Sequence, residues 1–336
     1  MRPILKGRGE LGLLLVASIV QPTRSGLAAM IGASLFVSGC ATTTSTSGAP
    51  VNQTVFDAQS QYIVQAEARG RPLRLKVDPG APFFIVLNDK VAKELRLVGT
   101  KAATLAVGPM RLKATTRNEK MTIGGVTASK PVMWVKGQSL RDVDGIINPA
   151  NLPGDRITLQ IQAPQLNEQV IELPMKFDRQ RGLYYEMEYG GQLILTRFTL
   201  DDPLTTTTGA AASVIAKRRS GLWEGGPFTH QVRFGIARPL RRMVLGEALS
   251  VKGFPVKELS VRILDDRGSY LLPEKEVVAP SEEEEEGVIV TGKNKRNYGA
   301  PHFWLMVGQR DLSRCSSISY DNKAKRMILS CATSGT

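Results

Sequence analysis

From Gln53 onward, apolar positions recur in short runs rather than at helical spacing. Arg156-Ile157-Thr158-Leu159-Gln160-Ile161 alternates, while Phe83-Phe84-Ile85-Val86-Leu87 and Leu193-Ile194-Leu195 are continuously apolar, and Gly, Pro, Asn and Asp punctuate the intervals. A period of two, or a strand-length apolar run bounded by turn residues, predicts β-strands. The chain therefore reads as mainly β. Near the C-terminus, Ser316-Ser317-Ile318-Ser319-Tyr320 and Arg326-Met327-Ile328-Leu329-Ser330 flank the polar Asp321-Asn322-Lys323-Ala324-Lys325, which predicts a hairpin. Cys315 and Cys331 stand equidistant from its centre, either as a disulfide or as two separate buried thiols, and an oxidising compartment selects the disulfide.

The chain is long enough for two cores, and comparison with itself brings out a weak repeat at a spacing of about 124 residues. Val77-Asp78-Pro79 matches Asp201-Asp202-Pro203, Val91-Ala92 matches Ile215-Ala216, and Met121-Thr122-Ile123-Gly124 matches Met243-Val244-Leu245-Gly246. Each half ends in a late hydrophobic signature, Val143-Asp144-Gly145-Ile146-Ile147-Asn148 in the first and Leu305-Met306-Val307-Gly308-Gln309-Arg310-Asp311-Leu312 in the second. The expected organisation is residues 1–39 as a leader, 40–52 as a tether, 53–175 and 176–332 as two similar lobes, with an acidic insert near 274–300.

The leader and tether rest on the first segment. Leu27 to Gly39 is a short apolar stretch ending Val37-Ser38-Gly39-Cys40, with Arg24 upstream and a Thr/Ser-rich run downstream. This resembles a bacterial lipoprotein signal, in which small residues precede a cysteine that takes a diacylglycerol. Cys40 would then be the lipidated N-terminus of a periplasmic protein. Ala41 in place of Asp resembles lipoproteins sorted to the outer membrane.

The net charge of +13 is scattered, with clusters only at Lys217-Arg218-Arg219, Arg241-Arg242 and Lys293 to Arg296. No nucleic-acid fold signature accompanies it, so the charge reads as a solvated surface and nucleic acid is not an expected partner. Two separated histidines, His230 and His302, offer neither zinc-ligand spacing nor a serine-hydrolase triad, and no Gly-rich phosphate loop is present. Neither metal nor cofactor is expected.

The residues that carry chemistry are Val77-Asp78-Pro79-Gly80-Ala81-Pro82, followed by Phe83 to Leu87 and Val91-Ala92. They resemble the catalytic loop of retropepsin-like aspartic peptidases: a hydrophobic strand ending in Asp-Thr/Ser-Gly-Ala, a second strand, then a short helix, here Asp89 to Leu95. The Leu305 to Leu312 signature and the C-terminal hairpin resemble later segments of the same family. The resemblance implies two retropepsin- or pepsin-like β-barrel lobes packed as a pseudo-dimer about a peptide cleft. It implies Asp78 and Asp202, or Asp201 by a one-residue slip, as the catalytic pair, since the chemistry needs two carboxylates sharing one proton. Gly80 and Ala81 would line the substrate site, and Trp223, within the glycine-rich Gly221 to Phe228 segment, would sit on a flap.

Three departures oppose catalysis. Pro79 replaces the family's hydroxyl residue and lacks an N–H. Leu204 stands where glycine is needed, which should crowd the dyad, and Asn148 replaces another glycine. The resemblance thus leaves a peptidase, a non-catalytic pseudopeptidase that binds peptide or an envelope protein, and a structural lipoprotein as alternatives. Finally, Glu286-Gly287-Val288-Ile289-Val290-Thr291-Gly292, after the acidic run from Glu282, resembles the segment near the mature N-terminus of TonB-dependent receptors. Val288-Ile289-Val290 could add a strand to a periplasmic partner or belong to a solvated loop.

Overall fold

The computed structural model describes residues 52–107, 110–137, 140, 142–179, 181–232, 236–264 and 301–332. Cys40, the acidic run and Val288-Ile289-Val290 lie outside these residues. The described chain is mainly β, as the short apolar runs predict, and its strands form three sheets.

The first sheet has seven strands in the order Ile63–Ala68, Arg71–Val77, Gly145–Ile147, Ile85–Leu87, Val126–Val135, Met110–Ile123 and Lys101–Val107. Ile63–Ala68 also pairs with Met110–Ile123, through Ala66 opposite Ile123, so six of these strands close into a barrel. Closure removes two sheet edges and gives the strands a shared interior. The alternation is visible at Ile63–Ala68: Val64, Ala66 and Ala68 are buried while Gln65 and Glu67 face solvent.

The second sheet has eight strands, Lys176–Asp178, Gly182–Tyr189, Gln192–Phe198, Trp304–Val307, Thr206–Thr208, Phe254–Arg262, Ala237–Val251 and Gly221–Gln231. The third joins Gln53–Phe56, Arg156–Gln160, Cys315–Asp321, Arg326–Ala332 and Glu168–Pro174, and so binds the first described strand to the last. The predicted C-terminal hairpin is its centre. Cys315 pairs across it with Cys331, and the two form a disulfide. One large core runs through all three sheets, from Leu75 and Ile123 through Ile157 and Leu329 to Phe198 and Val261.

The same strand pattern occurs twice. Arg71–Val77 lies parallel to Gly145–Ile147, which is antiparallel to Ile85–Leu87; Gln192–Phe198 lies parallel to Trp304–Val307, which is antiparallel to Thr206–Thr208. A helix follows each time, Asp89–Glu94 after the first set and Gly209–Arg219 after the second. The second helix is capped by Thr208, whose hydroxyl accepts from the Ala211 N–H, and ends at Ser220 in the left-handed region. A hairpin comes next in both halves: Lys101–Val107 with Met110–Ile123, and Gly221–Gln231 with Ala237–Val251.

Candidate functional site

Each half presents one loop between its inner strand and the strand that returns beside it, and the sheet registers fix which residues correspond. Val77 pairs with Ile147, and the next N–H, that of Asp78, donates to the Ile147 carbonyl at 3.0 Å. Phe198 pairs with Val307, and the next N–H, that of Thr199, donates to the Val307 carbonyl at 3.0 Å. Val86 and Thr206 then pair with Ile146 and Met306, the residues preceding Ile147 and Val307. The counterpart of Asp78 is therefore Thr199. The repeat read from sequence is out of register by three residues here, and the second loop is in addition one residue shorter before its returning strand.

Asp78 is only 2% exposed, and its carboxylate is held by donors from both halves. Its Oδ1 accepts from the Gly80 N–H at 3.1 Å, the Thr199 hydroxyl at 2.9 Å and the Leu200 N–H at 3.3 Å. A buried carboxylate requires such donors, since an unpaired charge out of water costs several kcal/mol or more. The Thr199 oxygen also accepts from the Asp201 N–H at 3.1 Å, which orients the hydroxyl proton toward Asp78.

Asp201 and Asp202, the two carboxylates sought opposite Asp78, are engaged elsewhere. Asp201 is ion-paired with Lys76. Asp202 contacts the His230 ring nitrogen at 3.1 and 3.2 Å and accepts from the Leu204 N–H at 2.9 Å. Counted from the inner strands, they occupy the positions of Gly80 and Ala81. Leu204 is half-buried, and its backbone carbonyl abuts Gly308, where a Cβ would lie 2.3 Å from that oxygen.

The loops are tied by a pair of related contacts. Lys76 precedes Val77 and reaches Asp201 in the other half; Arg197 precedes Phe198 and donates from Nη2 to the Gly80 carbonyl. Lys76 and Arg197 occupy equivalent register positions, opposite Ile146 and Met306, and their targets are equivalent too. Each half thus sends one cation across to the loop of the other.

Asn148 supplies a further tie. It is fully buried; its Nδ2 donates to the Pro79 carbonyl at 3.1 Å and the Ala81 carbonyl at 2.8 Å, while its Oδ1 accepts from the Ala150 N–H at 3.0 Å. Asparagine in place of the family's glycine does not open the packing here: its amide fills the space and saturates two carbonyls of the Asp78 loop. Gly182, at φ 76°, comes against the same place, where a Cβ would lie 2.6 Å from the Ala81 oxygen. That close approach requires glycine.

Beneath the loops, Tyr320 of the third sheet is fully buried, and its hydroxyl has no hydrogen-bond partner among the described residues. Burial, reinforced by the charge of Asp78 and opposed by that of Arg197, holds its pKa well above the usual phenol value. Trp223 lies on the strand Gly221–Gln231 opposite Met243, with the Arg241 guanidinium 5.0 Å over its ring, and packs against the main core. The apolar cluster around Ala81 instead receives Val232 and Ile236, farther along the same hairpin. Neither residue stands out in the sequence, because only the hairpin's register reveals how far it reaches.

Compared with protein families, residues 64–147 match the model of an aspartyl protease family. The matched segment contains the barrel strands, Asp78 and Gly80, and it makes this part of the chain aspartic-protease-like. No curated protein matches the chain.

Proposed function

We propose that this chain is a catalytically inactive, aspartic-peptidase-like binding module of the bacterial envelope. In this reading two lobes, residues 53–175 and 176–332, hold an extended peptide or an extended stretch of an envelope protein. Lipid on Cys40 anchors the protein to the outer membrane from the periplasmic side, through the tether 40–52. The leader before Cys40 supports the address, and the family match supports the peptide cleft.

The observation that carries the reading is the hydrogen bond from Thr199 to Asp78. Aspartic proteolysis needs one charged and one protonated carboxyl to activate a water and polarise a carbonyl. A threonine hydroxyl cannot share a proton with Asp78 in that way, and Asp202 is directed to His230. Pro79 agrees with this reading, since it supplies neither the hydroxyl nor the N–H that ties the family's loops.

Retention of a diverse peptide library on the immobilised full chain tests it, with the recovered peptides read by mass spectrometry. Enrichment of intact peptides, equally by the wild type and Asp78→Asn, is the expected result. New termini generated by the wild type alone would instead establish an aspartic endopeptidase, the reading that the Asp78-Pro79-Gly80-Ala81 loop otherwise favours. A result with neither enrichment nor new termini would contradict both.

A further inference from the structure

The five-stranded sheet has two faces of opposite character, and its registers assign residues to each. One row across it, Phe56, Leu159, Ile318, Leu329 and Ile171, is buried in the main core. The adjoining row, Val55, Thr158, Ser319, Ile328 and Glu172, faces the other way, since successive side chains of a strand point to opposite sides. Val55 is 52% exposed at one edge of that outer face, and Val170, on the same side of its strand as Glu172, is 60% exposed at the other. Leu166, in the turn that enters Glu168–Pro174, is 94% exposed. At the usual strand spacing the face is about 19 Å across from the first strand to the last.

Between these aliphatic edges the outer face carries hydroxyls. Thr158 and Ser319 share a hydrogen bond at 2.8 Å, and Ser317 pairs with Ser330 in the next row, beside Val170. Arg156 pairs with Asp321 at 2.9 Å and Arg326 with Glu172 at 2.6 Å, so these charges are matched within the face. Lys323 and Lys325 are exposed in the turn at its end. A phospholipid headgroup layer fits such a surface: its phosphate and glycerol oxygens accept from the hydroxyls and lysines, and the aliphatic side chains enter the boundary with the acyl chains.

The path of the chain brings that layer close. Gln53 opens the strand that carries Val55, on the same face, and residues 41–52, between it and Cys40, span no more than about 43 Å even fully extended. We infer that this outer face is a membrane-docking surface, and that its ligand is the headgroup layer of the bilayer in which the Cys40 lipid is embedded. The inference rests on the lipid anchor proposed above and adds the side of the protein that meets the membrane. Anchoring holds the face at a high effective concentration, so a surface too weak to bind a bilayer by itself stays docked. Tyr320 points from the same sheet into the core, toward the Asp78 loop, so docking leaves that loop turned away from the lipid.

Fluorescence quenching tests it in the full chain, carrying its Cys40 lipid in bilayers of phosphatidylethanolamine and phosphatidylglycerol. Leu166→Cys and Leu222→Cys each place one free thiol at an exposed leucine, Leu222 standing at 72% exposure on the edge strand of the eight-stranded sheet. With a nitrobenzoxadiazole label on the thiol and a spin-labelled phospholipid as quencher, quenching at 166 should exceed that at 222 about fivefold. Val55→Asp together with Val170→Asp, both at exposed positions, should remove most of the excess while the lipid stays in place.

Equal quenching at the two positions, or stronger quenching at 222, would overturn the inference and leave the lipid anchor standing. An excess at 166 that survives both aspartates would overturn the assignment to this face. A mass spectrum of the mature chain without diacylglycerol on Cys40 would defeat the anchor, and the inference with it.

Discussion

The Thr199 hydroxyl donates to the Asp78 carboxylate at 2.9 Å, from the position that the sheet registers make equivalent to Asp78 itself. Where the chemistry of an aspartic peptidase would set two carboxyls together, this chain sets a carboxylate and a hydroxyl. The acid's buried oxygen is satisfied by three donors, from Gly80, Thr199 and Leu200.

Replacing Thr199 therefore has opposite consequences according to the substituent. Thr199→Val removes a donor to a buried charged group and should cost about 1.5–3 kcal/mol in urea unfolding at neutral pH. Thr199→Asp puts two carboxyls within bonding reach, which raises the pKa of the pair. A raised folded-state pKa stabilises below the unfolded value and is lost as pH rises through the folded value. This variant should thus gain stability relative to wild type on going from about pH 7.5 to about pH 4.5. A difference that does not change with pH would mean that the two positions do not face each other.

Asn148→Gly restores the residue usual in the family, yet it should destabilise. Loss of the amide leaves the buried Pro79 and Ala81 carbonyls without their donor, at about 1–3 kcal/mol. Gly182→Ala presses on the Ala81 carbonyl from the other side and demands a left-handed backbone. It should lower the unfolding midpoint as well. Thermal unfolding of the two single variants checks both.

The two crossed cations differ in burial and so in consequence. Lys76 and Asp201 are partly exposed, and Lys76→Met should change stability by no more than about 1 kcal/mol. Arg197 donates to Gly80 and also adds positive charge near the buried Asp78 and Tyr320. Arg197→Met should be clearly the more damaging of the two, which parallel denaturant titrations would read directly.

Asp311 gives a separate pH signature. Burial raises its carboxyl above the ordinary 3.8, the hydrogen bond from Thr205 opposing it. A raised folded-state pKa means that Asp311's contribution to stability is fully present below 3.8 and lost as pH rises through the folded value. Asp311→Asn keeps an acceptor for Thr205 and should flatten the stability profile over that interval. An unchanged profile would assign the slope to other groups.

The disulfide should matter to stability and not to the site. Closing Cys315 to Cys331 constrains the unfolded chain by about 3 kcal/mol on the loop-entropy model. Cys315→Ala together with Cys331→Ala should lower the unfolding midpoint while leaving peptide retention intact. Loss of retention in the folded double variant would show that the third sheet transmits strain to the Asp78 loop.

What the sequence made legible follows from how local each signal is. Alternation marks the strand at Arg156–Gln160, a continuously apolar run marks that at Gln192–Phe198, and the polar turn marks the C-terminal hairpin with its cysteines, because these depend on neighbours in sequence. The Asp78 loop was legible for the same reason. Its counterpart was not: Asp201-Asp202-Pro203 imitates the composition of Val77-Asp78-Pro79, whereas the pairing of Phe198 with Val307 puts Thr199 in place. Register across strands far apart in sequence leaves little mark on either strand. In the sequence Asn148 is only a departure from the family's glycine, since its two carbonyl partners on the Asp78 loop are visible only in three dimensions. Trp223 is conspicuous in the sequence as an aromatic residue in a glycine-rich segment, whereas the approach of Ile236 to Ala81 is visible only in three dimensions.

The measurement that bears most directly on the central claim is cleavage of a diverse peptide library by the full chain across about pH 3 to 7, the range in which a shared-proton carboxyl pair would operate, beside Asp78→Asn. With Thr199 opposite Asp78, no new peptide termini should appear with either protein at any pH. Cleavage by the wild type that disappears in Asp78→Asn would contradict the account and restore Asp78 to a catalytic role.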